Sequence, residues 1–168
     1  MKSEDIKNLQ TPIKERYKKN PEQALLTLKA HSKVGGEGLT CSVETGKAIV
    51  EAGLHPATGG DGESICSGNM LLEALAACFG VTLKAVATAI DFKLKNGAIS
   101  VEGDLDFRGT LGVERTVPVG FQKIRVTLSI ETEESKDRID TLLKLTERYC
   151  VVYQTLSCPP KVEHKVCL

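Results

Sequence analysis

Six cysteines are the residues of this chain best placed to do chemistry: Cys41, Cys66, Cys78, Cys150, Cys158 and Cys167. No two lie at the two-to-four-residue spacing of a chelating pair, and His31, His55 and His164 are scattered. A structural zinc site is therefore not expected, and neither a metal nor an organic cofactor is assigned. The start, Met1-Lys2-Ser3-Glu4-Asp5, is too acidic and polar for a secretory leader. A cytoplasmic location is expected, where thiols stay reduced. A free thiol has two fates: a small buried hydrophobe, or a nucleophile. As a nucleophile, a thiolate attacks a peroxide oxygen and becomes a sulfenic acid, which a second thiol condenses to a disulfide. That needs two sulfurs within bridging distance, and a group that lowers one thiol's pKa against the effect of burial. Cys78 and Cys150 are the candidates, because both fall in predicted helices at positions facing a core.

Composition narrows the classes. The chain has 168 residues, 41% hydrophobic and 26% charged, an ordinary globular balance. Lys plus Arg equal Asp plus Glu at 22 each, without the basic excess of a phosphate-tracking groove, so no nucleic-acid partner is expected. Glu73 and Lys84 interrupt the longest apolar run, so no membrane association is expected either.

The positioning elements follow from periodicity. Residues 1–24 read as a helical arm of short helices broken at Pro12 and Pro21, with a stripe of Ile6, Leu9, Ile13 and Tyr17. Residues 25–168 read as one domain. Its first strands carry Leu26, Leu28 and Ala30, then Leu39, Cys41 and Val43, with Gly35 to Gly38 between them and a short strand at 48–50. The glycine-rich loop from His55 to Gly62 lacks the Lys-Ser/Thr ending of a phosphate-binding loop, and His55 is expected to fix a turn. Residues 69–91 form a long helix that must be buried round most of its circumference, with Glu73, Ala77, Gly80, Lys84 and Thr88 on one polar or small stripe. Cys78 falls elsewhere, with Leu71, Ala74, Leu75, Val81 and Ala85. Asn96-Gly97 signals a hairpin joining Phe92 and Leu94 to the run from Ile99 to Phe107. A strand through Ile124, Val126, Leu128 and Ile130 follows. Ser135 caps a second helix in which Ile139, Leu142, Leu143, Thr146, Tyr149 and Cys150 repeat at three and four, placing Cys150 on its inner face. Lys161 to Val166 alternates as an edge strand. Strands, helix, strands, helix, strand is an α+β order.

Two blocks of this sequence resemble a known family. Gly59-Gly60-Asp61-Gly62 with Leu71 to Cys78 and Val81-Thr82-Leu83, and later Tyr149-Cys150-Val151-Val152-Tyr153-Gln154-Thr155-Leu156, are similar to the two signature blocks of the osmotically inducible protein C / organic hydroperoxide resistance (OsmC/Ohr) family. The resemblance spans roughly residues 25 to 168. It implies an intertwined homodimer in which antiparallel sheets wrap two long central helices. It also implies a thiol-dependent peroxidase acting on organic hydroperoxides in oxidative-stress defence, regenerated by an external dithiol. Cys78 then matches the peroxidatic cysteine and Cys150 the resolving one. The family's glutamate ten residues before the first cysteine is replaced by Gly68, and Glu73 lies on the wrong helical face to substitute. Arg16 and Arg148 are candidates for the activating arginine, and Cys66 for an alternative resolving thiol. A competing reading is a non-catalytic dimeric module that binds a small lipid-like or organic ligand in an apolar interface pocket, with the cysteines as packing.

Overall fold

A computed structural model describes residues 2–20, 31–34, 40–44, 49–112 and 114–167. They form α1 (Ser3–Lys19), β1 (His31–Val34), β2 (Thr40–Glu44), β3 (Ile49–Gly53), β4 (Ile65–Cys66), α2 (Ser67–Ala89), β5 (Asn96–Asp104), α3 (Phe107–Thr110), β6 (Lys123–Glu131), α4 (Lys136–Tyr149) and α5 (Val151–Ser157). The content is α+β, as expected. The chain divides into two compact units, Met1–Asn8 with Ala74–Ser100 and Leu128–Leu168, and Leu9–Glu73 with Val101–Thr127.

In the second unit, β1 to β4 form a sheet in sequential order. β1 and β2 pair antiparallel with Val34 opposite Cys41, β2 and β3 antiparallel with Val43 opposite Val50, and β3 and β4 parallel. The glycine cluster 35–38 thus falls between two paired strands, as its turn chemistry requires. The alternation at 26–30 lies outside the described residues. After β3, His55 caps a 3₁₀ turn at Pro56–Thr58: the Ala57 N–H donates to its Nδ1 at 3.1 Å. The ring stacks on Phe107 with centroids 4.8 Å apart. Turn-fixing is therefore its observed part. Gly60 is required here, because a Cβ would sit 1.9 Å from the Leu54 carbonyl oxygen. Gly103 on β5 is required too, since a Cβ would meet the Phe121 ring at 2.6 Å.

The first unit holds the main core. Leu83, Val86 and Ala87 of α2 pack with Phe92 and with Leu142 of α4. Ile99 of β5 and Leu128 and Ile130 of β6 close over them. β5 and β6 pair with each other. Lys95 donates to the Glu131 carbonyl beside one end, and Gln122 to the Asp104 carbonyl beside the other, so the strands run antiparallel.

Five expectations need correction. Pro12 does not break the arm: α1 runs through it. An interior proline forfeits one amide bond, but Pro12 lies at an exposed position, and Glu4 and Asp5 in the first turn complement the helix dipole. The second break at Pro21 lies outside the described residues, as do the side chains of Ile6, Leu9, Ile13 and Tyr17. Asn96-Gly97 makes no hairpin turn but opens β5, whose partner is β6. A two-residue turn of that type needs positive φ at both residues, and neither has it. The reversal occurs earlier, where Asp91 adopts φ 51° and the Phe92 N–H donates back to the Ala87 carbonyl at 2.8 Å, ending α2 in a left-handed cap. Lys161 to Val166 forms no strand: nothing among the described residues pairs with it, and Val162 is 87% exposed.

The fourth correction concerns α2. It is long and apolar enough by composition to cross a membrane, despite Glu73 and Lys84. Yet within this chain only one stripe of it, Leu75, Phe79, Leu83 and Val86 with Ala87, is buried. Leu71 is 39% exposed and Val81 73%. The helix covers one face and leaves an apolar one open. The fifth concerns Cys150, which lies not in the second helix but at a break, as the next subsection describes.

Candidate functional site

The buried stripe of α2 sets the position of Cys78. Leu75 and Phe79 are each 2% exposed, and Cys78 stands beside them, half-buried, at the margin between covered and open faces. Thr82 is four residues on, hence directly above Cys78 on the helix surface. Opposite, Leu142 and Thr146 of α4 and Cys150 just beyond its end are completely buried at i, i+4 and i+8, the spacing of a single helical stripe. The Thr146 hydroxyl donates to the Leu142 carbonyl at 2.7 Å, which satisfies the one polar group in that stripe.

The chain breaks direction at Cys150. This residue ends α4 and precedes α5 with φ −75° and ψ 109°, an extended conformation between two helices. Its N–H still donates to the Thr146 carbonyl, and its own carbonyl accepts from Gln154, both at 2.9 Å. The break starts a fresh helix at Val151, and first-turn amides of a helix have no intrahelical acceptor. Those of Val151 and Val152 face the Cys78 sulfur instead. Tyr153, one residue further, packs its ring against Phe79 with centroids 5.9 Å apart.

Two free thiols distant in sequence are thereby side-chain neighbours, and their environments push them in opposite directions. Burial is the largest influence on Cys78 and raises its pKa. The Val152 amide, the Cys150 thiol, the Val151 amide and the Thr82 hydroxyl together outweigh it, and the net shift is downward. Each of these donors is satisfied by negative charge on the sulfur. Burial is also the largest influence on Cys150, and there it prevails. The adjoining Cys78 raises the pKa further, against amides of Tyr153 and Val152 that close no full capping hydrogen bond. The opposed shifts order the pair, so that Cys78 gives up its proton more readily than Cys150. A thiolate backed by a protonated second thiol can be oxidised to a sulfenic acid and then closed to a disulfide.

Other expected participants are elsewhere. Arg148 lies over the Tyr149 ring, 5.6 Å from its centroid, and the donors that lower Cys78 are amides, a thiol and a hydroxyl. The Arg16 side chain and that of Cys41 lie outside the described ones. Cys66 ends β4 in the second unit. A Cβ at Gly68 would meet Phe121 at 3.5 Å and the Cys66 sulfur at 3.6 Å, so this position faces an aromatic ring and a sulfur. Cys158 and Cys167 are exposed on the C-terminal segment. No metal-binding cluster of three acidic, His or Cys side chains occurs among the described residues. Thr82 and the two valine amides escaped the sequence reading. Thr82 carries a signal, its i+4 spacing from Cys78; the amides carry none, because they depend on the break at Cys150.

The family model for OsmC-like protein matches residues 60–165. No curated protein matches by sequence. Among solved structures, an OsmC-like protein from Mycoplasma pneumoniae superposes with TM-score 0.65 at 18% identity, over 80% of this chain and 91% of that one. An organic hydroperoxide resistance protein OsmC from Legionella pneumophila gives 0.62 at 16%, over 80% and 93%. The organic hydroperoxide resistance protein OhrB of Bacillus subtilis gives 0.54 at 20%, also over 80% and 93%. The model match covers both cysteines and well over half of the sequence, and the chain belongs to the OsmC-like protein family.

Proposed function

We propose that this protein is a thiol peroxidase that reduces organic hydroperoxides, with Cys78 as the peroxidatic and Cys150 as the resolving cysteine. The observation that carries the reading is the opposed shift of two adjacent thiols, Cys78 downward and Cys150 upward. Resemblance to proteins named for organic hydroperoxide resistance supports the substrate class.

The steps balance as follows. The Cys78 thiolate attacks the terminal peroxide oxygen; an S–O bond forms, the O–O bond breaks, and the alkoxide takes a proton and leaves as an alcohol. The sulfur is now a sulfenic acid, oxidised by two electrons. The Cys150 sulfur attacks it, an S–S bond forms, and hydroxide leaves with the Cys150 proton as water. An external dithiol reduces the disulfide by thiol exchange and restores both thiols. The Thr82 hydroxyl and the Val151 and Val152 amides hold the attacking charge on Cys78.

The working form in this reading is a homodimer. Leu71 and Val81 expose the apolar face of α2 beside Cys78, and Tyr149 and Val151, 59% and 69% exposed, flank Cys150. A second copy covering these residues would enclose the sulfurs and provide an apolar surround for the organic part of a substrate.

The test is stoichiometric. Reduced protein is treated with cumene hydroperoxide and its free thiols are counted. Two thiols per chain are expected to disappear in the parent and none beyond background in Cys78→Ser. In Cys150→Ser, dimedone is expected to label Cys78 as a trapped sulfenic acid. A parent titre equal to the no-peroxide control would overturn the peroxidase and leave a ligand-binding module.

A further inference from the structure

On the side of α2 away from the sulfurs the first unit has a cleft of about 740 Å³, within the usual size range for small-molecule sites. Gly80, Leu83, Lys84, Ala87 and Thr88 are its α2 wall. At ~100° per residue these lie across the helix from Cys78 and Thr82, and neither cysteine of the proposed thiol pair lines the cleft. Its floor is apolar: Leu83 and Phe92 are 4% and 6% exposed, and Leu94 and Ile99 are half-buried. Gly80 keeps that floor open, since a Cβ there would already touch Ile99 at 3.4 Å.

The rim carries charge of one dominant sign. Lys2, Lys84, Lys93 and Lys95 line the cleft against a single acid, Asp91. Lys95 is held by Glu133 at 2.5 Å and Lys93 lies by the Glu134 carboxylate, which accepts its backbone N–H at 2.9 Å, while Lys2 and Lys84 have no ion pair among the described residues. Arg138 fixes the loop at this rim, donating to the Ile90 and Asp91 carbonyls at 3.2 and 3.0 Å. The whole chain is neutral, so this local excess of cations is a property of the cleft and not of the composition.

We infer that this cleft binds a monomeric fatty acid, its chain on the Leu83–Phe92–Leu94–Ile99 floor and its carboxylate among Lys84, Lys93 and Lys2. The apolar surface is the floor and the charge is the rim, so a single-headed anion with a hydrocarbon tail fits both at once. A flat membrane meets the lysines without reaching the floor, and an inorganic anion meets them without using it.

Titration of the full-length protein with cis-parinaric acid, followed by its fluorescence, tests the inference beside the methyl ester of the same chain. Saturable one-to-one binding is expected for the acid and weaker binding for the ester. Lys84→Glu and Lys93→Glu are each expected to weaken the acid about tenfold. Peroxide-driven thiol loss should be unchanged in both variants. N-ethylmaleimide on Cys78 should leave fatty-acid binding intact. Equal binding of acid and ester, indifference to both charge reversals, or loss of binding on alkylation would each overturn the site. So would absence of saturable binding coupled with sedimentation on phosphatidylglycerol vesicles, which would assign the lysines to a membrane surface.

Discussion

The amide of Val152 faces the sulfur of Cys78, and it does so because the chain leaves helical geometry at Cys150. Had α4 continued unbroken, that amide would have been spent on the Arg148 carbonyl four residues back. A two-helix junction thus supplies hydrogen-bond donors to a nucleophile.

The two thiols are expected to titrate in a fixed order. The Cys78 pKa is shifted down from the ordinary thiol value and that of Cys150 up, so ionisation of Cys78 comes at the lower pH of the two. Alkylation by iodoacetamide, resolved per cysteine by peptide mass spectrometry, should rise with pH at Cys78 first and at Cys150 last. Cys150→Ala removes a donor and should move the Cys78 profile to higher pH. Cys78→Ala removes a neighbouring negative charge and should move the Cys150 profile to lower pH. A Cys78 midpoint at or above that of Cys150 would refute the assignment of roles.

The donor role of the junction can be isolated by one substitution. Val151 is the first residue of α5, where proline is tolerated, and Cys150 before it already has the extended ψ that proline imposes on its neighbour. Val151→Pro therefore deletes one amide donor while sparing the helix. Alkylation of Cys78 near neutral pH should slow about three- to tenfold, with the far-ultraviolet circular dichroism unchanged. Thr82→Val, which removes the hydroxyl at equal size, should act in the same direction. Parental rates in both folded variants would mean that the donors are bystanders.

How much of this was readable beforehand depends on the range of the forces involved. The strand through Cys41 and Val43 and the long helix expected over residues 69–91, observed as Ser67–Ala89, were legible because hydrophobic period carries them, while the choice of Cys78 and Cys150 as a pair came from the signature blocks. The break at Cys150 was not. The stripe of Leu142, Thr146 and Cys150 continues smoothly across it, and only the β-branched pair Val151-Val152 hints at weakened helix. Asn96-Gly97 misled because a strong local turn signal yielded to pairing with a strand more than twenty residues away. The Lys161 to Val166 alternation misled for the opposite reason: period two declares a willing strand, and no partner for it stands among the described residues.

Val81 is the sharpest probe of the open face of α2. A valine 73% exposed on an apolar helix is covered by something in the proposed homodimer. Val81→Glu should weaken the dimer at least about a hundredfold, since a carboxylate buried there without a partner costs on the order of 3 kcal/mol. Sedimentation velocity across a concentration series reads this directly. A parent that sediments as a monomer at all concentrations, or a variant as dimeric as the parent, would remove the second copy from the mechanism.

Asp91 offers a test of the other end of α2. It is the one described non-glycine residue with positive φ, 51°, and it carries the left-handed cap that returns the chain toward β5. A side chain in that conformation costs about 1 kcal/mol that glycine does not pay, partly offset because glycine gains more freedom in the unfolded chain. Asp91→Gly should therefore raise the unfolding free energy by about 0.5–1 kcal/mol, and Asp91→Val should lower it by more than that, since a β-branched residue tolerates the region least. Urea denaturation at one fixed protein concentration compares the three. Because Asp91 is also the single acid of the lysine-lined cleft, the glycine variant should bind fatty acid more tightly as well as unfold later. If Asp91→Gly unfolds earlier than the parent, the carboxylate stabilises the cap by an interaction stronger than the strain of its own backbone.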